Sequence, residues 1–159
     1  MTQHSAAAQS TKQPRVAFYA LVPDAMQGML AVNNAVKAAL DPKLVDLVFQ
    51  RVSQMNGCAY CVDLHWRDLL TAGEDPQRIN SLLTWREVDF FDARECAALN
   101  WAERVTLLRD EQPNDDDYAL IREQFNEKEI AALTYAIAIM NAWNRISISL
   151  RNPVVKWKA

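Results

Sequence analysis

The sequence predicts an all-α fold, and three observations predict it. No window alternates apolar and polar residues with a period of two, while apolar residues recur at three- and four-residue steps through most of the 159-residue chain. Three Gly and six Pro are too few for the many tight turns of a sandwich or barrel. Five segments open on helix N-cap signals, and the chain length suits one domain with a real core. About six or seven helices are expected over residues 14–159, with residues 1–13, small and polar, forming a disordered tail.

Along the chain, Pro23-Asp24 opens the first helix, whose apolar side carries Met26, Met29, Leu30 and Val36. Asp41-Pro42 is a cap followed by proline at the first helical position, and Leu44, Val45, Val48, Phe49 and Val52 form the stripe behind it. Asn56-Gly57 interrupts that stripe. A new helix begins at Gly57 or Cys58 and runs to Ala72, where Gly73 suits a left-handed cap. Asp75-Pro76 starts a short helix through Leu83. Asp92 with Glu95 and Asn126 with Glu129 are capping boxes, and the acidic run from Asn114 to Asp117 complements a helix dipole. The last helix, from Glu127 to about Leu150, is apolar on most faces and belongs in a core or between subunits. Trp66, Trp85, Trp101 and Trp143 read as core or interface anchors.

Composition excludes several function classes. A net charge of −3 without a Lys/Arg block argues against a nucleic-acid partner. No apolar run reaches the roughly 20 residues that span a bilayer, so no membrane partner is expected. Three cysteines are too few for a secreted disulfide framework, and the N-terminus lacks the form of a signal peptide. A cytoplasmic protein is the expectation.

One segment carries chemistry: Asn56-Gly57-Cys58-Ala59-Tyr60-Cys61-Val62-Asp63-Leu64-His65. Positions i, i+3 and i+7 share a helix face, so both sulfurs and the imidazole line up. A helix start lowers a thiol pKa, and thiols three apart can close a disulfide. The helix N-terminus favours Cys58 as nucleophile. Spacing favours Cys61, because His65 is one turn from it and two turns, about 10.5 Å of rise, from Cys58. Cys61 is therefore assigned as the attacking thiolate and Cys58 as the resolving thiol. Asp46, twelve residues before Cys58 in an otherwise apolar stripe, is the candidate carboxylate that orients His65, and Gln50 one turn on could join the same network. A zinc site would need His4 or Cys96 as a further ligand, and two buried structural cysteines are the plainer alternative. Covalent haem is excluded, since Val62 stands where its His would follow the second Cys. Cys96 itself reads as a packed, unreactive thiol.

The segment resembles the signature of the alkylhydroperoxidase D-like (AhpD-like) branch of the carboxymuconolactone decarboxylase superfamily. Leu47–Ser53 resembles its lead-in helix, and Ala138–Arg145 resembles the end of the same domain. The resemblance implies an all-helical domain that assembles as a trimer or hexamer. It also implies a thiol-dependent hydroperoxide reductase, cycling Cys58 and Cys61 between dithiol and disulfide at the expense of a thiol or dithiol reductant. Within it Cys61 matches the peroxidatic position and Cys58 the one facing the reductant. Asp46 stands where the pattern usually has Glu, and Tyr60 stands where the founding peroxidase has His. No metal or organic cofactor is called for. Two other functions remain: a decarboxylase or lyase of the carboxymuconolactone type, and a non-enzymatic helical oligomer whose dithiol sets assembly.

Overall fold

The computed structural model describes residues 13–156, so the tail expected over residues 1–13 lies almost wholly outside the described residues, as does His4. Among the described residues there are eight α-helices and no strand: α1 (Phe18–Leu21), α2 (Pro23–Ala39), α3 (Pro42–Asn56), α4 (Ala59–Thr71), α5 (Pro76–Ser81), α6 (Ala93–Thr106), α7 (Asp115–Gln124) and α8 (Glu127–Ser149). The all-α expectation holds, with one helix more than expected, because the single turn α1 has neither a side-chain cap nor an amphipathic period to announce it. The helix read through Leu83 stops at Ser81 and tightens into a 3₁₀ segment over Leu82–Glu87, where Thr84 leaves helical angles.

Local chemistry explains most starts. Asp41, Asp75, Asp92, Asn114 and Asn126 each accept a backbone N–H at the head of their helix, and the last three belong to reciprocal capping boxes. Gly73 is left-handed at φ +75°, as expected after α4. Gly57 differs from its expected role. It is left-handed at φ +67° and caps α3, so Cys58 becomes the N-cap of α4 and not a residue of its first turn.

Helix α3 is the axis of the molecule. Val45, Val48, Phe49 and Val52 enter the main core with residues of α2, α6, α7 and α8, while Leu47 enters a second cluster with Leu69, Ile79, Leu82, Trp85, Phe91 and Leu99. Burial on both sides turns the expected stripe into a nearly all-round core helix, which takes Asp46 and Gln50 inside with it. Helix α8 sits in the core through Ile130, Leu133, Ala136, Ile137 and Met140. Trp85 and Trp101 are buried anchors, and Trp143 is half-buried against the main core. In α2, by contrast, Val36 alone is fully buried. No described helix is long and apolar enough to cross a membrane.

Candidate functional site

The site forms where α3 hands over to α4. At the end of α3, the Cys58 N–H donates to the Ser53 carbonyl (3.0 Å), and the left-handed turn at Gly57 aims the chain into α4. A buried polar layer from α8 pins this corner. Asn144, fully buried, donates to Ser53 Oγ (3.1 Å) and accepts from Asn56 Nδ2 (2.9 Å), while Ser53 Oγ donates to Met140 Sδ (3.3 Å). A satisfied buried network of this kind fixes one geometry for the residues it holds. Nothing in the apolar periodicity pointed to these groups; the only sequence signal was polar residues, Ser53 and Asn144, inside otherwise apolar helices.

As N-cap of α4, Cys58 uses its sulfur to accept the Cys61 N–H (3.3 Å). The two sulfurs are joined in a disulfide, with Cα atoms 5.3 Å apart. Both residues are buried, Cys58 to 1% and Cys61 to 3% exposure, yet they border different clefts. Cys61, His65 and Tyr60 face a cleft of about 280 Å3 whose other walls include Phe18 and Tyr19 of α1, Met26 of α2 and Trp143 of α8. Cys58 faces a cleft of about 450 Å3 walled by Gly57, Ile148 and the segment Arg151–Val154. Tyr60, Ser147 and Asn152 border both.

His65 is buried, and its ring packs against Phe49 of α3 with centroids 5.2 Å apart. Two carboxylates lie beside it. One donor atom each from Asp46, His65 and Asp68 falls within 4.8 Å of the others. The structure thus brings Asp46 into the neighbourhood of His65, but its direct partner is the ammonium of Lys37 on α2, at 2.6 Å. Asp68, which the sequence reading passed over, has an oxygen 3.4 Å from His65 Nδ1. Its signal was there: Asp68 follows His65 by three residues on one helix, a spacing that brings side chains together. The imidazole beside it holds the Asp68 carboxyl below the ordinary aspartate range, with help from the Lys37 and Arg67 charges and against its partial burial. Among the described residues, this trio is the group whose donor types could hold a divalent cation. Lys37 already supplies a positive charge to Asp46.

Gln50 does not join the expected network: it is buried, and its Oε1 has no hydrogen-bond partner. Cys96 packs against the second core cluster and borders neither cleft. Burial pushes its thiol pKa up, as do the neighbouring Glu95 and Asp92 charges, so little thiolate forms at neutral pH.

Comparison with known proteins agrees with the signature. The profile of the carboxymuconolactone decarboxylase family matches residues 23–104, from α2 through most of α6. The uncharacterized protein YdfG of Bacillus subtilis is 38% identical over 139 residues, covering 87% of this chain and 95% of YdfG. A protein of unknown function from Agrobacterium tumefaciens, provisionally named as the antioxidant defence protein AhpD, superimposes with a TM-score of 0.85 at 33% identity, covering 90% of this chain and all of that one. An uncharacterized peroxidase-related protein from Silicibacter sp. TM1040 shares the fold at a TM-score of 0.75 and 23% identity, over 84% of this chain and 72% of its own. With its matching profile, a relative aligned nearly end to end and the Cys-x-x-Cys corner in place, this chain belongs to the AhpD-like branch of the carboxymuconolactone decarboxylase family.

Proposed function

We propose that the protein is a thiol-dependent hydroperoxide reductase. One observation carries the proposal: a single disulfide whose two cysteines line different, adjoining clefts, with a buried imidazole lining the one that Cys61 faces. That arrangement suits a cycle in which oxidant and reductant approach from different sides. In the reduced protein, His65 takes the Cys61 proton, and the thiolate attacks the distal oxygen of the hydroperoxide. The S–O bond forms as the O–O bond breaks, His65 returns the proton to the departing alkoxide, and an alcohol leaves. Cys58 then attacks the resulting sulfenic acid, closing the disulfide and releasing water. A thiol or dithiol donor returns two electrons by exchange, attacking at Cys58 from the larger cleft.

The walls of the Cys61 cleft favour an organic hydroperoxide over hydrogen peroxide, since Phe18, Met26 and Trp143 reward apolar surface. A homo-oligomer, trimer or hexamer, fits the unburied face of α2, and a cytoplasmic location fits a cycle that needs a thiol donor. Stopped-flow consumption of cumene hydroperoxide tests the mechanism. Cys61→Ser abolishes it, and Cys58→Ser stops after one turnover with Cys61 as sulfenic acid. If the double Cys→Ser protein still consumes peroxide, the proposal is wrong.

A further inference from the structure

The residue that orients the base is a separate question from the identity of the base, and two carboxylates compete for it. Asp46 comes from α3 and is 6% exposed, but Lys37 Nζ stands 2.6 Å from its Oδ1. A short charge-assisted contact of that kind claims the carboxylate's charge and fixes its direction. Asp68 comes from α4 itself, one turn beyond His65, and its Oδ2 lies 3.4 Å from His65 Nδ1. That nitrogen is buried and has no aligned hydrogen bond in the disulfide state. Hydrogen bonds to catalytic bases are often long in resting structures and tighten when charge develops. The Asp68 carboxyl, held below the ordinary aspartate range chiefly by the imidazole beside it, accords with that pairing.

We infer that Asp68 is the positioning residue for His65: it accepts from Nδ1–H, fixes that tautomer, and leaves Nε2 free as the base for Cys61. Lys37 meanwhile holds Asp46 as a neutralised neighbour. The charged or titratable groups around the ring and its cleft are Asp68, Arg67, Tyr60 and Cys61 on α4, Asp46 on α3, Lys37 on α2 and Tyr19 on α1. The α8 residues that line the cleft, Met140, Trp143 and Ser147, bring no charge. Asp68 acts through the ring and touches no reacting atom. The inference rests on the proposed peroxidase cycle for its purpose, though not for its geometry.

The chain has two histidines, so nitrogen-15 NMR of the neutral imidazoles can be assigned with His65→Gln as the reference. In the wild-type disulfide protein the His65 ring carries its proton on Nδ1. Asp68→Ala, at a side chain 43% exposed and so tolerant of truncation, gives a mixture of tautomers. It also slows alkylation of Cys61 in the reduced protein at neutral pH about tenfold, the scale of one charge-assisted hydrogen bond. Asp68→Glu restores both readouts, and Asp46→Asn leaves the tautomer unchanged. A wild-type ring protonated on Nε2, or a tautomer that moves with Asp46→Asn and not with Asp68→Ala, overturns the inference. Should the tautomer behave as expected while wild-type protein consumes no peroxide, Asp68 stands and the peroxidase reading falls.

Discussion

Glu103 illustrates how one side chain can tie several elements together. It accepts from Arg51 Nε of α3 and from Trp85 Nε1 of the 3₁₀ segment, both at 2.8 Å, and it also pairs with Arg86. Burial pushes its carboxyl up, but the bonds from Trp85, Arg86 and Arg51 outweigh that and leave it below the ordinary glutamate range. A carboxyl whose folded pKa is depressed contributes stability above its unfolded value, and that stability is lost as pH falls through the folded value. Glu103→Gln is therefore expected to destabilise the protein by roughly 1–3 kcal/mol at pH 7. The difference from wild type should begin to shrink as the pH drops below about 4.3, where the unfolded chain's glutamate starts to protonate, and should be lost only below the lower folded value. Urea melts of both proteins at pH 7 and at about pH 3 measure this. Neither Arg51 nor Trp85 is close to Glu103 in sequence, and nothing local marks the position, which is why the network was not legible beforehand.

Among the elements, the handover from α3 to α4 decides where the sulfurs go. Gly57 meets nothing within 4 Å at the place a Cβ would occupy, so the demand for glycine comes from its φ of +67° alone. Gly57→Ala should cost about 1 kcal/mol, the left-handed penalty, in chemical denaturation. Because the turn sets the Cys58 N-cap, the variant should also lower the equilibrium constant for closing the disulfide in a dithiothreitol titration. Helix α8 offers the matching test of a cap: Asn126→Ala removes one half of its capping box, and a loss of about 1 kcal/mol is expected. Caps were the most legible feature of this chain because each is written within four residues. The 3₁₀ segment was not legible, because the end of a short helix depends on what it packs against, here the cluster around Leu82 and Trp85.

On the scale of the whole molecule, α2 is the long helix that the described part of the chain buries least. Beside the single buried Val36, its outward residues include Ala25, Leu30, Ala31, Ala35 and Ala38, small and apolar side chains that suit close helix contact. If the proposed oligomer uses this face, Ala31→Glu combined with Ala35→Glu should convert it to a smaller species in sedimentation velocity without loss of helical signal. A wild-type chain that sediments as a monomer would remove the oligomer from the proposal.

Helix type, the five Asp and Asn caps and the spacing of Cys58, Cys61 and His65 were set by residues within a turn or two of one another. The chain therefore states them without help from the rest of the fold. Packing decided the rest. Only when α2, α3 and α4 come together does Lys37 reach Asp46 and leave Asp68 beside His65. Only the approach of α1, α8 and the C-terminal segment Arg151–Val154 divides the surroundings of one disulfide into two clefts. Contacts between residues far apart in sequence depend on the angles and distances at which helices cross, and those are properties of the assembled core.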